Sequence, residues 1–136
     1  MRTQQRGAFW DDLAHDLEDP GFRREYIVES VRISTIDTIV NSLDDARETA
    51  GLSKAGLARA IGAEPAGMRR LFSAGHVNPT LGTLAEVAAA LGLRITIEPL
   101  PRADRELVTE PLLGREVADT AELAKRLQQH REPATT

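Results

Sequence analysis

The chain has 136 residues, a formal net charge of −4 and no cysteine. That length suits one compact domain with arms, since single domains run to roughly 100–200 residues, and the missing thiols exclude disulfides and thiolate metal sites. Aromatics make up only 4% of a chain that is 41% hydrophobic, so its core must be Leu, Ile, Val and Ala, which points to packed helices.

No stretch approaches ~18 apolar residues, and Met1–Gly7 is too polar and too short for a signal sequence. A soluble, cytoplasmic protein with no membrane partner is expected. His15, His76 and His130 are scattered without a second ligand at metal spacing, and read as surface residues rather than a metal site. No cofactor is expected.

In chain order, the Met1–Arg32 region reads as an acidic helical arm (1–32). Asp19-Pro20 opens a helix, Asp capping free amides and Pro being tolerated at the first helical position. Phe22, Tyr26, Ile33, Ile36, Val40 and Leu43 then recur at helical spacing up to Ala50, and Gly51 suits a left-handed helix end. One long helix and two helices broken near Ile33-Ser34 both fit this spacing. Ser53 caps "KAGLARAI", which stops at Gly62. Pro65 starts "PAGMRRLF", closed by Gly75. Thr80 caps "LGTLAEVAAAL", with Leu81, Leu84, Val87, Ala88 and Leu91 on one face and Gly92 at its end.

The period then changes from 3.6 to 2. "LRITIEP" sets Leu93, Ile95 and Ile97 on one face and Arg94, Thr96 and Glu98 on the other, which predicts a strand ended by Pro99. A lone strand leaves its backbone donors and acceptors unpaired. Two partners fit: the same strand of a second copy across a two-fold axis, or the chain's own helices. These elements define a middle segment, 33–99. In the remaining arm, 100–136, Leu107, Val108, Leu112 and Leu113 are candidate anchors, and Asp119 with Glu122 suits a capping box for "TAELAKRLQQHR". A helix that short is frayed or docked on something.

Charge is unevenly spread. Residues 1–52 carry six basic and eleven acidic side chains, 53–76 carry four and one, and 77–136 carry seven and nine. Only the central segment is positive, and local charge sets the field that a phosphate backbone meets. In that segment a helix-turn-helix needs a small residue where the helices cross, a turn residue tolerant of cramped backbone and apolar locking positions. Ala58 is the small residue and Gly62 the turn residue; Leu57, Ile61, Met68 and Leu71 are the locks. All six stand in the required order.

"GLSKAGLARAIGAEPAGMRRLFSAGHVNPTLGTLAEVAAALGLRITIEP" resembles helix-turn-helix proteins of the Xre/Cro type, with the lambda-repressor-like fold, most closely over residues 53–92. Its last part is also similar to HigA-class antitoxins and addiction-module antidote proteins, in which a strand follows the helical domain; "DPGFRREYI" is a weaker echo of the latter. The resemblance implies a mainly α bundle with one C-terminal β-strand, a homodimer that binds a double-stranded DNA operator as a transcriptional repressor, and a small basic toxin partner, a RelE- or HigB-like ribonuclease. A regulator with no toxin and a protein-interaction module on the same fold remain alternatives.

On the second helix of the motif, Met68, Leu71 and Phe72 form the buried i, i+3, i+4 face, so Ala66, Arg70 and Ser73 point outward with Arg69 on the flank. Arg70 suits a guanine edge, worth ~1–3 kcal/mol of discrimination, and Ala66 a thymine methyl. Arg69, Arg59 and Lys54 suit phosphates, Lys54 standing where relatives commonly carry Gln. Ser53 and Thr80 offer hydroxyls beside helix amides. Leu93, Ile95 and Ile97 are the candidate dimerisation residues. Pro65 and Gly67 occupy places where many relatives carry polar base readers, and Glu64 repels phosphate, so this reading surface is sparse.

An enzyme is not expected: the sequence has no phosphate-cradling glycine loop, no Gly-x-Ser-x-Gly elbow and no histidine pair. Asp11, Asp12, Asp44 and Asp45 read as solvated helix faces. The acidic start, with Phe9, Trp10 and Leu13, and the last helix are equal candidates for a segment that meets a basic partner.

Overall fold

The structure, a computed structural model, describes residues 2–73, 77–115 and 119–131, with side chains from Gly7 onward. The expected helix stop at Gly75 and the histidine at 76 lie outside the described residues. The chain forms two compact units, Thr35–Glu98 and a second made of Met1–Ser34 with Pro99–Thr136. The terminal arms read separately from the sequence, 1–32 and 100–136, therefore belong to one unit.

The described residues are mainly helical, and no described helix is long and apolar enough to cross a membrane. Helix α1 spans Arg2–Asp16 and α2 Pro20–Thr49. Asp19 accepts from the Phe22 amide at 2.9 Å, the cap that its place before Pro20 predicts. The helix α2 is unbroken at Ile33-Ser34.

Within Thr35–Glu98, α3 (Lys54–Ile61), α4 (Pro65–Leu71) and α5 (Leu81–Ala90) follow the end of α2. Their core is Val40, Leu43, Leu57, Ala58, Met68, Leu71, Leu84, Val87 and Ala88, with Ile36, Ile39, Ile61, Phe72, Val77 and Leu91 half-buried around it. Leu81 departs from the expected face and is 69% exposed. As the first residue of α5, its side chain leans toward the helix N-terminus, past the edge of the packed surface.

The expected strand is not formed. The backbone from Leu93 to Pro101 is neither helix nor strand, and Leu93, Ile95 and Ile97 are exposed. Leu93 spends its amide on the Ala88 carbonyl, at 2.7 Å, to finish α5. Among the described residues no further backbone–backbone bond falls between there and the Pro101 carbonyl. Alternation fixes which side chains share a face, but a ladder requires a neighbouring strand, which the described residues do not supply.

The second unit has a separate core of Leu13, Leu17, Ile27, Val108, Leu123, Ala124 and Leu127. Its C-terminal part contains two short helices, α6 (Arg102–Asp104) and α7 (Glu110–Leu112), flanking a π-helical stretch at Arg105–Thr109, and then α8 (Thr120–Arg131). Of the four expected anchors here Val108 is buried, Leu107 and Leu112 are half-buried, and Leu113 is exposed. Asp119 accepts from the amides of Ala121 and Glu122, at 3.0 and 3.2 Å, and so starts α8.

Helix α8 is docked rather than frayed. Leu123 and Leu127 are fully buried, and burying a leucine contributes about 1.5–3 kcal/mol. The ion pair of Arg126 with Asp104, at 3.2 Å, adds at most about 1 kcal/mol because both groups meet solvent. Burial therefore holds α8, and a polar cluster fixes its register. Ser30, fully buried, donates to the Tyr26 carbonyl at 2.7 Å and accepts from Arg131 Nε at 2.7 Å. The Arg131 guanidinium lies 4.1 Å from the centre of the Tyr26 ring, and the Tyr26 hydroxyl donates to Gln128 at 3.2 Å. Burial pushes the Tyr26 phenol above its ordinary value, with the Arg131 charge partly opposing, so it remains a donor at neutral pH. His130, expected at the surface, is half-buried with Nδ1 3.2 Å from the Ser34 hydroxyl.

Arg131→Ala removes a hydrogen bond to a buried hydroxyl and a cation–π contact together. It should lower stability by about 1–2 kcal/mol and reduce amide-exchange protection across Leu123–Gln128. Unchanged protection there would show that burial alone sets the register of α8.

Candidate nucleic-acid interface

Two short helices and the turn at residues 62–64 form the candidate site. Ser53 starts α3 by accepting from the Gly56 amide at 2.9 Å. At the other end Gly62 takes φ +68°, and the bonds Gly62 N to Arg59 O and Ala63 N to Ala58 O close the helix. A side chain at position 62 would be strained, which is why glycine ends α3 here.

Pro65 supplies the first residue of α4, and Glu64, the preceding cap residue, makes no side-chain bond to the helix. Ala58 and Leu57 are fully buried, Met68 and Leu71 nearly so, and Ile61 is half-buried. The six motif residues thus stand where steric reasoning requires them. Small size at Ala58 lets α3 and α4 approach, and the larger residues fix the angle of α4.

Ala66, Arg69, Arg70 and Ser73 are exposed, as is Arg59 on α3, while Lys54 is half-buried. Among the described residues none of these cations is in an ion pair. Their charge is therefore free to face a phosphate backbone. A cleft of about 410 Å³ beside α4 is lined by Ala63, Gly67, Met68, Leu71, Val77 and Pro79, and by Glu64 and Arg70. Glu64 opposes the field of Arg70 there without pairing to it.

The hydroxyls are more engaged than sequence reasoning assumes. Ser73 donates to the Arg70 carbonyl at 2.8 Å. Thr80 accepts from the Thr83 amide at 3.1 Å and donates to the Thr83 hydroxyl at 3.0 Å. Ser53 keeps its own proton to donate. Of the three, Ser53 is best placed to meet an anion.

Arg47 is the residue that sequence reading missed. Only 12% of its side chain is exposed; it bonds Asp44 at 2.9 Å and the Leu52 carbonyl at 2.8 Å, and its guanidinium lies 5.7 Å from the centre of the Phe72 ring. It thereby ties the end of α2, the loop before α3 and the end of α4 together. The signal was an Arg four places before Gly51, within reach of the last carbonyls of a helix.

No protein-family model, curated protein or solved structure matches the chain.

Gly67 lies inside α4 with nothing within 4 Å of where its side chain would start. Gly67→Ala should raise stability by about 0.5–1 kcal/mol in urea unfolding, because alanine loses less entropy in a helix. A loss of stability would show that α4 needs the glycine for its path.

Proposed function

We propose that this chain is a DNA-binding transcriptional repressor of the Xre/Cro type, acting as a homodimer and as the antitoxin of a type II toxin–antitoxin module. The observation that carries the reading is the pair Arg69 and Arg70, exposed and, among the described residues, in no ion pair, on a helix locked to α3 by Leu57, Ala58, Met68 and Leu71. Helix α4 enters the major groove, where the planar fork of Arg70 meets the two acceptors of guanine. Arg69, Arg59, Lys54 and the Ser53 hydroxyl meet phosphates and set the register. Two copies place two such helices about one DNA turn apart.

The exposed Leu93, Ile95 and Ile97 support a dimer contact, since an apolar run in water favours association. For the toxin, support comes from α1 and the turn after it. Asp11, Asp12, Asp16, Glu18 and Asp19 are exposed alongside Phe9, an acidic surface suited to a small basic protein. Leu13, read from sequence as part of that contact, is buried in its own core and unavailable to it.

Arg69→Ala with Arg70→Ala should abolish operator binding in a mobility-shift assay, while thermal stability changes by less than about 0.5 kcal/mol. Taken singly, Arg69→Ala should lower the slope of log K against log salt by about one, and Arg70→Ala should relax base preference. Unchanged affinity would remove α4 from DNA reading. Ile95→Lys should shift the particle to monomer in light scattering, and a dimer that survives would refute pairing through this segment. A small basic reading frame beside the gene, its product co-purifying with this chain, is the result expected for an antitoxin; without one the repressor stands and the antitoxin does not.

A further inference from the structure

The exposed segment after α5 also carries the instructions for how two copies pair. We infer that two chains join through Arg94–Glu98 as an antiparallel two-stranded ribbon centred on Thr96, with Arg94 of each copy opposite Glu98 of the other; this rests on the dimer reading above. Gly92, at φ +75°, turns the chain out of α5, and Pro99 lacks an amide to extend a ladder. Five residues lie between Leu93 and Pro99, close to the usual strand length of about 5–6.

Opposite residues in an antiparallel pair have numbers that add to a constant. Centred on Thr96, Ile95 meets Ile97, Thr96 meets Thr96, and Arg94 meets Glu98, twice by symmetry. Each is a favourable cross-strand pair, apolar with apolar or opposite charges. Centring on Ile95 sets Arg94 against Thr96 and Glu98 against Gly92, losing both charge pairs. Its apolar pairs of Leu93 with Ile97 also need Leu93 in the ladder, although the Leu93 amide is already spent on the Ala88 carbonyl at the end of α5. Centring on Ile97 sets Arg94 against Leu100 and Thr96 against Glu98. A half-step between residues sets apolar against polar throughout. Parallel pairing about a two-fold axis would oppose each residue to itself, Arg94 to Arg94 and Glu98 to Glu98, which is repulsive.

The state of these groups in the single chain fits this register. Arg94 and Glu98 are exposed, and among the described residues neither is in an ion pair. Ile97 is fully exposed, at 100%, and Ile95 is 37% exposed. The ribbon would cover each Ile97 with an Ile95 from the second copy. An isolated two-stranded ribbon is marginal in water, so the charge pairs select the register as well as adding to it.

The test uses the full chain, which has no native cysteine to interfere. Thr96→Cys should form an interchain disulfide under mild oxidation, because the two positions at the axis lie about 4.5–5.5 Å apart by Cα. Arg94→Cys, four residues out of register with itself, should crosslink at least about tenfold more slowly. Arg94→Glu and Glu98→Arg should each raise the dimer Kd about tenfold in sedimentation equilibrium, by turning two attractive pairs repulsive. The double charge swap in one chain, and an equimolar mixture of the two single variants, should restore it. If Ile95→Lys abolishes the dimer while the charge variants leave Kd unchanged, or crosslinking is faster at 94, the segment pairs in another register and this inference falls alone. If Ile95→Lys leaves the dimer intact, the dimer reading falls and this one with it.

Discussion

With Ala88, Ala58 is the smallest side chain of its core. It is fully buried in a core that includes Met68 and Leu71, so a bigger side chain there would force α3 and α4 apart. Everything proposed for the outward face of α4 follows from that contact. Arg69 and Arg70 sit on a helix of only seven residues, too short to hold its own shape, and their direction is inherited from Met68 and Leu71 beneath them. Arg47 bounds the same helix at its far end through Phe72. The outward face of α4 is thus held by attachment, although Gly67 within the helix is a poor helix former.

The two cores solve different problems. Around Ala58 the contacts join neighbours in sequence, and turn chemistry at Ser53, Gly62 and Thr80 holds the short helices in place. Around Leu17 and Leu127 the contacts join opposite ends of the chain, with the register set by one buried hydroxyl, Ser30, and the arginine that satisfies it. An apolar residue at position 30 would take the partner of Arg131 Nε away and leave only the Tyr26 carbonyl, 3.3 Å from Nη2, to accept from the guanidinium. Specificity here comes from polar groups set against an apolar core.

Much of the Thr35–Glu98 unit was legible in the sequence because its ends are punctuated. Ser53, Gly62, Pro65, Thr80 and Gly92 each have a local steric or hydrogen-bonding reason to stop or start a helix, and α3 matches its expected bounds at both ends. The outward direction of Ala66, Arg70 and Ser73, with Arg69 on the flank, followed from helical spacing alone. Three things were not legible. Periodicity says which face is apolar but not what covers it, so the union of the two arms and the burial of Leu13 were invisible. Alternation at Leu93, Ile95 and Ile97 gave the face but not the ladder partner. The Ser73 hydroxyl was read as facing outward and the Thr80 hydroxyl as offered beside its cap, because residue type does not reveal that each proton is donated within the chain, to the Arg70 carbonyl and the Thr83 hydroxyl.

Tyr26 bonds Gln128, and Ser30 bonds Arg131, across 102 and 101 residues of chain. Such closures are slow, and during synthesis at about 5–20 residues per second they wait for the last helix to be made. The contacts among α3, α4 and α5 need no such wait, and their core contains no residue beyond Ala88. On a translating ribosome the unit carrying Arg69 and Arg70 is complete first, while Leu13, Leu17 and Ile27 stay without the leucines of α8. A chain cut before Leu123 keeps the whole of the first core and loses Leu123, Ala124 and Leu127, three of the seven residues of the second. Degradation that begins at the C-terminus therefore removes the acidic unit's support before it touches the helix proposed to read DNA.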